Sequence, residues 1–175
     1  SESDLEEIEK AVPVTKDFPK PGILFSNFFP IFEKPELVQK ILDITSESVR
    51  SEFGDIDAVV GADARGFLFG PMLALKLKVP FYPVRKKGKL PGPVSSQEYK
   101  LEYGSATLEL PKGATTGKKV LLVDDLMATG GTMAATKSLV ETEGGSVVGC
   151  FFAITLTELH GAEKVGCPVL TLLER

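Results

Sequence analysis

"VLLVDDLMATGGTMAA" (residues 120–135) is the stretch that decides the fold. Val120 to Val123 are apolar without a break, as in a strand buried on both faces. Two adjacent carboxylates, Asp124 and Asp125, follow at once, then a run of small residues, then a helical pattern. Neighbouring negative charges repel, so the pair does nothing for folding. The glycines of the Thr-Gly-Gly-Thr turn let backbone N–H groups point inward just ahead of a helix N-terminus, where an anion such as phosphate is favoured. Thr129 and Thr132 add hydroxyl donors. Asp124 and Asp125 would repel that phosphate unless something stood between them. Carboxylates accept hydrogen bonds from vicinal hydroxyls and attract Mg²⁺ directly or through its waters. A sugar monophosphate meets both demands, with its phosphate on the loop and its diol on the acids. The plainer alternative is a helix cap beside a solvated acidic edge. The order of strand, acids, small loop and helix argues against it.

Outward from this unit the chain alternates strands and helices. "PELVQKILDITSESVRSEFG" from Pro35 reads as a helix, with Leu37, Val38, Ile41, Leu42, Ile44, Val49 and Phe53 on one side and Gly54 ending it. "IDAVVG" (56–61) is a short buried strand, the segment after it a helix that tolerates a Gly-Pro step, and "PFYPVR" another strand. A helix over 131–143, a strand over 146–156 and a last strand near Val169–Leu172 complete the series. That pattern predicts an α/β protein with a mostly parallel central sheet flanked by helices. Ligands of such folds sit at the carboxyl ends of the strands. "GADARG" and "DDLMATGGT" both fall there.

Two segments stand outside the alternation. "SESDLEEIEKAV" predicts a first helix with Ser3 and Glu6 as a capping box. "KDFPKPGILFSNFFPIFEKP" holds four prolines and five phenylalanines, which argues for an extended aromatic segment. Between residues 86 and 104 lies a long polar, Gly/Pro-rich connection of the kind that forms lids. Neither internal repeat nor linker appears, so one domain over 1–175 is expected, with an aromatic segment at about 12–34 that packs on the body or covers a ligand and a flexible loop at about 86–104.

The 175 residues have 43% hydrophobic and 25% charged content and a formal net charge of -4. An ordinary globular balance with acidic surplus gives no basic face for nucleic acid. No apolar run approaches the roughly 20 residues that span a bilayer. The acidic N-terminal stretch lacks the marks of a signal peptide, so a cytoplasmic protein is expected. Cys150 and Cys167 have no metal-ligand spacing and read as buried free thiols, with a structural disulfide as the less favoured alternative. His160, the sole histidine, has no G-x-S-x-G nucleophile to serve and reads as a surface residue. Neither G-x-x-x-x-G-K-[ST] nor G-x-G-x-x-G occurs.

"VLLVDDLMATGGT" resembles the phosphoribosyl diphosphate (PRPP) signature of the type I phosphoribosyltransferases. "DFPKPGILF", "DARGFLFGP", "VRKKGKLPGP" and "LEYGSATLEL" are similar, in order, to segments of the branch of that family that uses adenine. The resemblance covers nearly the whole chain. It implies transfer of the 5-phosphoribosyl group from PRPP to adenine, giving AMP and pyrophosphate with Mg²⁺, by a homodimer. It implies that Ala128, Thr129, Gly130, Gly131 and Thr132 hold the 5-phosphate, and that Asp124 and Asp125 take the ribose hydroxyls and touch Mg²⁺ mostly indirectly. Asp63, Ala64 and Arg65 are implied for the pyrophosphate, with Arg85 and Lys89 as further cations. Glu102 is implied as the catalytic group for proton transfer on the purine, with Tyr103 near the ribose. Adenine is implied to meet Phe25, Ser26 and Leu156. Ser26-Asn27 stand where the family commonly has Arg-Asp, and Thr155 stands for a usual glutamate. The remaining expectations are a transferase for another purine and a PRPP-sensing regulator. Against the regulator stand Arg65, Lys89 and Glu102, and a length that leaves no room for a DNA-binding segment.

Overall fold

The computed structural model describes residues 2–101, 103–127 and 130–175. The chain forms two compact units, Ser1–Thr45 and Ser46–Arg175.

In the first unit, α1 (Glu2–Lys10) is followed by β1 (Val14–Lys16) and β2 (Leu24–Ser26), which pair antiparallel with Thr15 opposite Phe25. The proline-rich, aromatic stretch thus makes a small hairpin and then a 3-10 turn at Phe29–Glu33. Phe18 meets Phe25 edge to face at 5.1 Å. Ser3 lies inside α1, so the expected capping box does not mark its start. Ile8, Val12, Phe28, Ile31, Leu37 and Ile41 are buried. Lys40 of α2 (Pro35–Phe53) bonds Asp4 at 3.1 Å and Glu7 at 2.5 Å.

The second unit is built on a seven-stranded sheet. Its strands are β3 (Ala58–Ala62), β4 (Phe81–Lys86), β5 (Val94–Lys100), β6 (Ser105–Pro111), β7 (Lys119–Met127), β8 (Ser146–Thr155) and β9 (Val169–Glu174), in the order β5-β6-β4-β3-β7-β8-β9. β4, β3, β7, β8 and β9 run parallel, and β6 and β5 extend the β4 edge antiparallel. The α/β, mostly parallel architecture read from the alternation is therefore the one observed. β3 and the first half of β7 are fully buried because the sheet is covered on both faces. Val60, Leu122, Cys150 and Phe152 share a core with Met133 and Leu139 of α4 (Gly131–Thr142) and Val165 of α5 (Gly161–Val165). The alternate residues Val59, Leu121 and Val123 face the other way, and α3 (Gly66–Leu77), with Pro71 inside it, packs on β3 and β7. A Cβ at Gly66 would stand 2.8 Å from the Val123 carbonyl oxygen. Only glycine lets α3 begin this close to β7. No helix among the described residues is long and apolar enough to cross a membrane.

The segment expected as a loop at about 86–104 is largely strand. β5 pairs with β6 along its whole length, from Val94 opposite Pro111 to Lys100 opposite Ser105. Polarity on both faces hid the alternation. Ser95, Gln97 and Tyr99 are half-buried while Ser96, Glu98 and Lys100 are exposed. The inward side meets the polar flank of α4, where Ser95 Oγ donates to Glu143 and Ser138 Oγ donates to Gln97 Oε1 at 3.2 Å.

Candidate active site

Three pieces meet at the carboxyl edge of the sheet. β7 ends in the acids, β3 runs into Asp63-Ala64-Arg65, and α4 presents its N-terminus. A cleft of about 200 Å³ is lined by Arg65, Asp124, Met127, Gly130, Gly131, Thr132 and Phe152, among others. A second hollow of about 230 Å³ is lined by Asp63, Arg85, Lys86, Tyr99, Leu101 and Thr132, among others. Thr132 borders both. Gly130, ahead of α4, takes a left-handed φ of +79°, and a Cβ there would lie 2.4 Å from the Gly161 carbonyl oxygen. Gly130→Ala is therefore expected to destabilise the protein by about 1–3 kcal/mol and to displace the loop before α4. Urea unfolding checks this. An unchanged midpoint would mean the contact with Gly161 relaxes freely.

The acids are not a solvated edge. Asp125 is 6% exposed and its carboxylate lies 3.2 Å from Arg65 Nε. Asp124 Oδ1 accepts the Asp125 N–H at 2.8 Å. Burial, then the neighbouring Asp125 charge, pushes the Asp124 carboxyl up to about 7 from the ordinary 3.8. Between those values the unfolded chain has released this proton while the native protein keeps it. Rising pH over that interval thus removes stability, and the loss is complete above about 7. Asp124→Asn, which cannot ionise, is expected to raise the melting temperature of the ligand-free protein at pH 8 and to leave it nearly unchanged at pH 4. An equal gain at both pH values would count against the uncompensated charge. A protein that keeps so costly a pair has a use for it elsewhere.

Arg65 caps the start of α3, where a cation beside the positive end of a helix is unfavourable unless an anion answers it. In this structure that anion is Asp125. Arg85 Nε donates to Asp63 Oδ2 at 2.7 Å, and its Nη1 donates to the Lys89 carbonyl at 3.2 Å. The peptide between Asp63 and Ala64 is cis. So Asp63, Ala64, Arg65, Arg85, Lys89, Asp124, Asp125, Gly130, Gly131 and Thr132 gather in one region. Leu156, whose N–H donates to the Met127 carbonyl at 3.0 Å, lines a separate hollow of about 250 Å³ with Thr155, His160 and Thr171. Tyr103, 90% exposed, stands in the turn between β5 and β6 and lines neither cleft. Phe25 and Ser26 belong to β2 of the first unit. Glu102, Ala128 and Thr129 lie outside the described residues. Tyr99, Leu101 and Phe152 border the clefts without any expectation that they bind ligand, and Lys86, one of the cluster of cations around Arg85, borders the second. For Tyr99 and Leu101 the only signal was their spacing of two residues, too short a run to stand out from the polar positions around it.

Fold and site together define an α/β protein with carboxylates and a helix N-terminus gathered at the carboxyl edge of a parallel sheet, the class that handles nucleotides and sugar phosphates. The phosphoribosyl transferase domain family matches residues 30–170. The adenine phosphoribosyltransferase of Caenorhabditis elegans is 46% identical over 95% of this chain and 90% of its own length, and that of Rattus norvegicus 44% over 99% and 98%. The crystal structure of the Saccharomyces cerevisiae adenine phosphoribosyltransferase, complexed with D-2,5-dideoxy-2,5-imino-altritol 1,6-bisphosphate and adenine, superposes with a TM-score of 0.94 at 44% identity, over 99% of this chain and all of that one. The chain belongs to the phosphoribosyltransferase family, in its adenine phosphoribosyltransferase branch.

Proposed function

We propose that the protein transfers the 5-phosphoribosyl group from PRPP to adenine and releases AMP and pyrophosphate, a purine salvage reaction. The observation that carries this reading is the adjacent acids at the end of β7, Asp124 lining one cleft with the N-terminus of α4 and Asp125 buried against Arg65. Kinship over nearly the full length with adenine phosphoribosyltransferases, one of them complexed with adenine, supports the choice of base.

Each role follows from the chemistry of its group. Gly130, Gly131 and Thr132, with Ala128 and Thr129 before them, offer donors to the 5-phosphate. Asp124 and Asp125 accept from the ribose hydroxyls. When the substrate arrives, Arg65 can exchange its carboxylate partner for pyrophosphate oxygen, joined by Asp63 and Ala64 through the backbone. Arg85 and Lys89, with Lys86 beside them, face the charge that grows on the leaving group. The ribose–pyrophosphate bond breaks through an oxocarbenium-like state as the purine nitrogen bonds to the same carbon and loses its proton. Glu102 is assigned that proton. Tyr103 is assigned to the ribose, and Phe25, Ser26 and Leu156 to the base, by family resemblance.

Mg²⁺ is proposed as the cofactor. Among the described residues no group of three or more His, Cys, Asp or Glu could hold a metal. Two neighbouring carboxylates suit a cation that keeps waters and takes its other oxygens from substrate phosphates. Bound there, Mg²⁺ supplies positive charge for the departing pyrophosphate. A cytoplasmic homodimer is proposed on the same resemblance.

The test is pyrophosphate release from PRPP and Mg²⁺ with a panel of bases. Turnover with adenine alone supports the reading. Preference for hypoxanthine, guanine or xanthine would reassign the base, and PRPP binding without turnover would indicate a sensor.

A further inference from the structure

Two cysteines that serve no part of this reaction are brought together by the parallel pairing of β8 with β9. Cys150 lies midway along β8 opposite Val169, and its N–H donates to the Pro168 carbonyl at 2.9 Å. Cys167 immediately precedes that proline. The two thiols are free, with their sulfurs 3.0 Å apart. A disulfide needs about 2.05 Å, so closure asks roughly one ångström of movement from side chains whose strands are already in register. Cys150 is completely buried in the core beneath α4, and Cys167 is half-buried. Cys167 is therefore the more exposed residue of the pair.

The geometry points to Cys150 and Cys167 as a reversible thiol–disulfide site that a peroxide closes, with Cys167 as the attacking sulfur and Cys150 as the resolving one. The division of labour agrees with the surroundings. A hydrogen bond from Cys150 lowers the pKa of Cys167, and the Lys137 ammonium, paired with Glu141 at 2.9 Å, lowers it further. Giving that hydrogen bond, together with burial, pushes Cys150 up. The Cys167 thiolate attacks one peroxide oxygen, the O–O bond breaks, and the leaving hydroxide takes a proton to become water. Cys167 is then a sulfenic acid. The Cys150 sulfur, giving up its proton, bonds to the Cys167 sulfur and expels hydroxide, which that proton converts to a second water. One hydrogen peroxide is reduced to two waters, and two thiols are oxidised to one disulfide.

Intact-protein mass after brief hydrogen peroxide treatment and denaturing alkylation tests the site. Wild-type protein is expected to lose the mass of two hydrogens, to take no alkyl group, and to recover both thiols with dithiothreitol. Cys150→Ser is expected to stop at a sulfenic acid on Cys167 that dimedone traps, and Cys167→Ser to resist the same dose. Oxygen added to either sulfur of the wild type without loss of two hydrogens would overturn the proposal. So would two alkylatable thiols persisting at a dose that oxidises free glutathione, or a bridge found only between chains. The wild-type mass decides even if a serine variant fails to fold.

Discussion

Asp124→Asn/Asp125→Asn is expected to lower kcat/KM for PRPP by about 10–10³ while the protein stays folded. A hydrogen bond to a charged group contributes about 1.5–3 kcal/mol and one between neutral groups about 1, so losing charge at two ribose contacts costs about 1–4 kcal/mol. Asparagine matches the shape of aspartate, so the core of β7 keeps its volume. The burial that pushes the Asp124 carboxyl up to about 7 is relieved in the variant. Catalysis and ligand-free stability should therefore move in opposite directions, which a merely structural acid pair could not produce. Steady-state kinetics and a melting curve on one preparation make the comparison. Falls in both together would identify the pair as scaffolding. In the wild type, PRPP binding should also tighten between pH 6 and 8, as the Asp124 proton is lost, and the double variant should lack that trend.

Glu102→Gln is expected to reduce kcat by about 10²–10⁴, the usual worth of a general acid or base, with the melting temperature and the KM for PRPP nearly unchanged. Its sequence neighbour Leu101 follows β5, with its N–H donating to the Gly104 carbonyl at 2.9 Å, and Gly104 takes a φ of +96°. Leu101 lines the hollow that also holds Asp63, Arg85 and Thr132. Glutamine keeps the length and hydrogen-bonding shape of the side chain and removes only its ability to take a proton. A pH profile of kcat that loses one limb in the variant would separate proton transfer from positioning. Unaltered kcat would remove Glu102 from the mechanism.

The β7–loop–α4 unit was legible because its logic is local. An apolar run, two acids, small residues and a helix follow one another in the chain, and each neighbour supplies its own context. The same holds for β3 and α3, and the carboxyl-edge rule placed "GADARG" beside the acids before any contact was known. β5 was not legible. A strand with one polar face against solvent and another against the polar flank of α4 shows no apolar period, and only its partner β6 reveals it.

From the sequence alone came the α/β class, the alternation of α2, β3, α3, β4, β7, α4, β8 and β9, and the placement of both acidic motifs at the carboxyl ends of β3 and β7. All of these depend on residues a few positions apart, where backbone geometry dictates what faces what. The tertiary structure alone decided that Arg65 answers Asp125, that Arg85 answers Asp63, and that Cys150 touches Cys167. Those pairs lie far apart along the chain, and the strand order that unites them is set by how whole faces bury one another. No single stretch of residues encodes that.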